Sequence, residues 1–159
     1  MTRNLAIANR LREVLLNGKW IANTNFKEQI LSVSWEQAIQ KVGNLNTIAL
    51  LTFHINYYLA GLLNVFAGGK LEIKDKYSFD LPAISSQQDW ENLLEKNWVD
   101  AATFATLVEQ LPEEKLWETF SEEKYGNYYR NLTGIIEHTH YHLGQIVLIK
   151  KMLQQEKFY

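Results

Sequence analysis

Residues 128–154 read YYRNLTGIIEHTHYHLGQIVLIKKMLQ, and the fold turns on this stretch. Leu132, Ile135, Thr139, His142, Ile146, Ile149 and Leu153 recur at alternating steps of three and four. That is the period of one face of an α-helix, so the stretch predicts a long helix with a single inward stripe. Such a helix cannot bury its stripe alone, and the chain upstream supplies partners. Residues 46–67 form a second long apolar stretch, closed by Gly68 and Gly69. Residues 86–111 form a third. Ser86 with Asp89 three positions on marks its start and Pro112 its end, while Trp90, Leu94, Asn97, Ala101, Phe104, Val108 and Leu111 trace its stripe. Residues 3–17, stopping near Gly18, form the fourth.

Four principal helices patterned in this way predict an all-α fold, a four-helix bundle. Short accessory helices are expected at 25–31 and 34–42, the second opened by a capping box of Ser34 and Gln37. No internal repeat or linker interrupts the chain, so residues 1–159 read as one domain. Residues 68–85 are different. They show no helical period, and Leu71, Ile73, Tyr77 and Phe79 alternate with polar residues, so part of the segment is expected to be extended. Long connections of this kind are uncommon in compact domains and are often functional.

Composition narrows the function classes. The chain of 159 residues is 47% hydrophobic and 21% charged, ordinary values for a soluble globular protein. With no cysteine there is no disulfide, no thiolate-ligated zinc and no cysteine nucleophile. That composition suits a reducing cytoplasm, the expected location. The net charge is −2, and the longest basic cluster, Lys150-Lys151, sits where cations suit a helix C-terminus. The electrostatic footprint of a nucleic-acid-binding protein is missing, so no nucleic-acid partner is expected. Residues 48–68 are apolar enough to raise the question of a membrane span. His54, Asn56 and Asn64 interrupt them and no basic residue flanks their start, which fits a buried helix better. Residues 1–16 mix Arg3, Arg10, Arg12 and Glu13 among apolar positions, an amphipathic helix rather than a signal peptide.

The chemistry is concentrated in histidine. Of four histidines, three fall in His138-Thr139-His140-Tyr141-His142, and the fourth is His54. Residues four apart on a helix share a face, with Cβ atoms roughly 5–6 Å apart. His138 and His142 therefore reach toward the same point and bracket the inward stripe, whereas His140 points elsewhere, beside Ile136, Leu143 and Val147. His54 lies mid-way along the other apolar helix, on a face shared with Leu50, Tyr57, Tyr58 and Gly61. Buried imidazole is costly unless it is hydrogen-bonded or metal-bound. Facing helices of a bundle often build metal sites from such positions, and three protein ligands leave room for water or substrate. The plainer reading stays beside it. A lone HxxxH is weak, a helical His pair is often a surface feature, and a single core His is often satisfied by a Tyr or a carbonyl.

The segment from Gly134 to Gln145, GIIEHTHYHLGQ, resembles the last-helix motif of the DinB superfamily, the DinB/YfiT-like metalloenzymes. That motif has two His at i and i+4, then a residue that is usually Arg, then Gly-Gln. Residues 15–20 (LLNGKW) and 50–58 around His54 (LLTFHINYY) are also similar to the family, and the likeness runs over nearly the whole chain. The resemblance implies a four-helix bundle, often dimeric, with nickel, zinc or a similar divalent ion on His54, His138 and His142. Characterised members include transferases that use small thiols such as bacillithiol or mycothiol, and a maleylpyruvate isomerase. Leu143 stands where the family usually has Arg, so the polar contact that Arg makes is absent here.

Other residues are weighed against the same frame. Gln145, one turn beyond His142, either bonds a ligand or packs as a helix amide. Tyr57 and Tyr58, about one turn from His54, offer a phenol to the pocket or pack in the core. Gly134 and Gly144 cost a helix interior roughly 1 kcal/mol each relative to Ala, which close helix approach would explain. Glu137, Glu122, Glu123 and Tyr125 read as surface residues. No nucleophile elbow, phosphate loop or HExxH motif is present. The expectation is a metal-dependent enzyme acting on a small molecule, joining a low-molecular-weight thiol to an electrophile. The alternatives are a metal-dependent hydrolase and a non-catalytic metal- or ligand-binding bundle. A homodimer is expected, with Ile136, Leu143 and Val147 as a second apolar strip on the last helix, the alternative being that this strip packs on the first helix of the same chain.

Overall fold

The computed structural model describes residues 2–155. Among them the fold is all-α, with six α-helices: α1 (Arg3–Arg12), α2 (Phe26–Leu31), α3 (Trp35–Ile39), α4 (Ile48–Phe66), α5 (Gln87–Gln110) and α6 (Tyr128–Gln155). Short polar side chains set most of the starts. Thr2, Asn25, Ser34, Thr47 and Ser86 each accept a hydrogen bond from the backbone two or three residues into the helix that follows. The capping box of Ser34 and Gln37 is present, although α3 is shorter than the sequence pattern suggests. Helix α1 runs on into a π-helical turn, Glu13–Asn17, closed by a bond from Gly18 N to Glu13 O. A Cβ at position 18 would lie 2.0 Å from Glu13 Cγ, so only glycine lets the chain turn there.

Helix α1 packs on α5, α5 on α4, α4 on α6, and α6 more lightly back on α1. One contiguous apolar core lies between them and draws on all six helices. Trp90 is its largest fully buried side chain, and its indole N–H donates to Val33 O at 3.0 Å, tying α5 to the turn before α3. Each member of the α6 stripe is buried. By length and composition alone α4 would pass for a membrane span, yet most of it is buried against the rest of the chain.

Two sequence expectations are revised, those for the α6 glycines and for its second strip. The segment between α4 and α5 is extended at Lys74, as expected of part of it, and its one helical element is a 3-10 turn at Asp75–Tyr77. It lies along α4, pinned by side chains of that helix. A Cβ on Gly61 would come within 2.6 Å of Ile73 Cγ2, so the missing side chain lets Ile73 seat on the helix. Asn64 Nδ2 donates to Lys70 O at 2.7 Å, and the Tyr57 hydroxyl bridges the backbone C=O and N–H of Lys74 at 2.9 Å each. Gly134 and Gly144 mark no close helix contact, because a Cβ on either would meet nothing within 4 Å. Both line open grooves on α6. Leu143 is buried inside the chain, and Ile136 and Val147 are half-buried against the core, so the second strip of α6 is largely covered from within.

Candidate metal centre

His54 projects from the middle of α4 and His138 and His142 from successive turns of α6, where the two helices pack. Their Nε2 atoms converge. His138 Nε2 lies 3.1 Å from His54 Nε2 and 3.1 Å from His142 Nε2. Two nitrogens bound at about 2.0–2.1 Å to one tetrahedral ion would stand roughly 3.3 Å apart. The donor atoms of the three residues all lie within 4.8 Å of one another, close enough to hold one metal ion.

The outer nitrogens decide the tautomers. His54 Nδ1 is 3.1 Å from Ser78 O, and a carbonyl only accepts, so Nδ1 carries the proton and Nε2 presents a lone pair. His142 Nδ1 faces Gln145 Oε1 at 2.7 Å, which fixes that ring in the same way. Both lone pairs point at His138 Nε2. A proton there would satisfy only one of them, and His138 Nδ1 is itself buried without a partner. Hydrogen bonding alone cannot satisfy this cluster. A cation would take all three Nε2 lone pairs, leaving only the His138 Nδ1–H unmet, and an outer N–H bonded to a carbonyl or amide, as on His54 and His142, is the usual way a protein orients metal-ligating His.

Electrostatics work in the same direction. Burial pushes the His138 imidazole down to about 4, helped by His142 and His54 beside it. Burial also lowers His54, partly opposed by the Ser78 carbonyl. The His138 and His54 rings are thus biased toward the neutral form, the one that binds a metal. Aromatic side chains screen them. Phe79 stacks on His54 at 4.0 Å between centroids with 9° between planes. Tyr58 meets both His54 and His138 edge-on at 5.1 Å, and Tyr141 meets His142 at 4.9 Å. The Tyr58 hydroxyl donates to Asp75 Oδ1 at 3.0 Å, so it fixes the segment that carries Ser78 and Phe79. A cavity of about 350 Å³ opens beside His138, lined by Tyr58, Leu62, Arg130, Asn131, Gly134 and Ile135.

The structure brings together His54, His138, His142, Gln145 and Tyr58. Tyr57 stands apart, its hydroxyl committed to Lys74. His140 faces grooves on the other side of α6, among them one shared with Arg10 and Glu137. Glu122 pairs with Lys124 at 3.0 Å, and Glu123 and Tyr125 are exposed, all outside the centre. Ser78 and Phe79 were not anticipated. Ser78 acts through its backbone carbonyl, which no side-chain pattern encodes. Their one signal was membership of a long segment without helical period. Comparison of the chain with family models, curated proteins and solved structures returns no match.

Two outcomes are expected. Protein purified without added metal or a His-tag should carry about one divalent ion per chain by elemental analysis. His142→Ala should lose that ion and His140→Ala should keep it, and equal loss in both would place the ligands on the wrong face.

The second concerns pH. Unfolded His138 takes a proton near about 6.5, but in the fold only near about 4. Between those values the unfolded state binds more protons, so the stability of metal-free protein is full above this window and falls as pH is lowered through it. Protons also compete for the ligating nitrogens, so metal affinity should fall over the same range. Thermal melts and metal titrations from pH 7.5 to about 4 would check both, and tight binding that persists well below pH 5 would point to carboxylate ligands.

Proposed function

We propose that this chain is a DinB/YfiT-like four-helix bundle holding a divalent ion, zinc or nickel, on His54, His138 and His142, and that it acts on a small molecule. The observation that carries the reading is the convergence of three imidazole Nε2 atoms whose lone pairs cannot all be met by protons. Imidazole suits both metals. Three protein ligands without a fourth match a catalytic site better than a closed structural one.

A divalent ion in this position supplies Lewis acidity, which lowers the pKa of a thiol or water brought to it. The chain's own residues do the rest. Ser78 O and Gln145 hold two rings in register, and Tyr58 and Phe79 keep water from the buried side. The cavity beside His138 admits the substrate over Gly134, where no side chain obstructs it. Arg130, four residues before Gly134 on the same face of α6, lines the outer end of that cavity and offers a cation to an acidic group.

The preferred reaction is transfer of a low-molecular-weight thiol to an electrophilic carbon. The thiol gives its proton to solvent, a carbon–sulfur bond forms, and the leaving group departs with its bonding pair. With no cysteine in the chain, the thiol comes from solution. Among the described residues the lining of this cavity holds no carboxylate, and nearby Asp75 accepts from Tyr58, so hydrolysis would rest on a water acidified by the metal alone. Metal-loaded protein given a model electrophile with several thiols should consume it thiol-dependently, and His54→Ala should abolish turnover. Turnover of an ester or amide, unaffected by added thiol, would replace this reading with hydrolysis.

We also propose a homodimer. Tyr141 and Leu148 are 66% and 57% exposed on the outer face of α6, flanking Gly144, and form an uncovered apolar surface there. Light scattering at micromolar concentration should give twice the chain mass, and a monomer mass at high micromolar protein would refute the dimer.

A further inference from the structure

The most apolar of the larger cavities lies away from the three histidines, in the groove between α4 and α5. It has a volume of about 680 Å³, and its far wall is the segment that Gly61, Asn64 and Tyr57 pin to α4. Ala60 and Leu93 line it from the helices, and Ile73, Leu81 and Ile84 from the segment. Its size and lining are those of a small-molecule site.

One polar group in the lining stands out. Asn56, only 4% exposed, donates its Nδ2 to Asp100 Oδ2 at 2.9 Å. A carboxylate accepts only, so the amide cannot be turned round, and Oδ1 is left buried without a partner. Asp100 is in turn paired with Lys96 Nζ at 2.6 Å, which leaves that carboxylate already neutralised. The lining also carries Asn64, Glu72, Asp89, Asn92 and Lys96, but its one buried side-chain atom without a partner is the Asn56 Oδ1 acceptor. Glu72, exposed at the rim, adds negative charge and disfavours an anionic occupant.

We propose that this groove is a second binding site, separate from the metal centre, for a neutral or cationic molecule with an apolar body and one N–H or O–H donor. The donor bonds Asn56 Oδ1, and the body lies between Leu93 and the wall formed by Ile73, Leu81 and Ile84. Fatty-acid-like anions are disfavoured, because their carboxylate would meet another acceptor at Asn56 Oδ1 and negative charge at Glu72 and Asp89, while the one cation of the lining, Lys96, is already paired with Asp100.

The test uses the full chain and three probes with one body: hydrocinnamamide, its methyl ester and the free acid at neutral pH. Backbone amide shifts read by NMR give the site and the affinity. The amide should bind at Asn56, Ala60 and Leu93 about tenfold more tightly than the ester or the acid, the discrimination of one buried hydrogen bond. Asn56→Leu should erase the preference, and Ala60→Trp should fill the groove and block all three probes. His142→Ala, which removes a proposed metal ligand, should leave the preference unchanged, so this site stands or falls apart from the metal. Equal affinity for amide and ester, a preference that survives Asn56→Leu, or binding in Ala60→Trp would each overturn the proposal. So would concentration-dependent shifts at these residues without probe, which would mean a second copy occupies the groove.

Discussion

An imidazole inside an apolar core has two nitrogens to satisfy, and at the junction of α4 and α6 three imidazoles meet at once. Most of the local architecture answers that demand. His54 takes its outer partner from Ser78, on a segment more than twenty residues further along the chain. His142 takes its own from Gln145, on the same helix three residues on. His138 has no outer partner, and it is the ring that borders the open cavity. The two rings with outer partners are the more buried, and the one without is only half-buried and borders the open cavity.

Ser78 can serve His54 only if the backbone of residues 69–79 is held against α4, and four side-chain features of α4 do so. Gly61 clears room for Ile73, Asn64 takes Lys70 O, Tyr57 bridges Lys74, and Tyr58 takes Asp75. With Gly61 the exception, none of these adds much apolar burial. They order a connection that would otherwise keep its conformational freedom, at a backbone cost of about 1–2 kcal/mol per residue. The same segment faces two ways, with Ser78 and Phe79 toward the histidines and Ile73 to Ile84 forming the wall of the apolar groove. A single anchoring network therefore brings Ser78 and Phe79 to His54 and also builds the wall of the apolar groove.

The helices were legible because their signals are local. Ser34 with Gln37, and Ser86 with Asp89, announced two helix starts that the structure keeps, and the stripe of α6 is buried where the period of 3.6 placed it. His138 and His142 were legible as a pair for the same reason. Adding His54 required knowing which helices pack together, which spacing cannot give. The rest lay beyond sequence because it rests on backbone or on absence. Ser78 contributes a carbonyl, Gly61 contributes a missing Cβ, and Gly134 and Gly144 open grooves where close contact was expected. Tyr57 and Tyr58 are neighbours in sequence, yet only Tyr58 touches the histidines, because adjacent residues on a helix point about 100° apart.

Unsatisfied groups say where the fold gives up stability. A buried donor or acceptor without a partner costs about 1–3 kcal/mol, and the described residues hold such atoms on Asn4, Thr52, Asn56 and His138. Thr52 is enclosed in the core and borders none of the cavities discussed above, and Asn4 lies at the chain's start, where its amide nitrogen already bonds Leu111 O. The other two each border a cavity large enough for a ligand. At both places a bound group would supply the partner that the fold itself does not, so the stability given up there is what a ligand would restore.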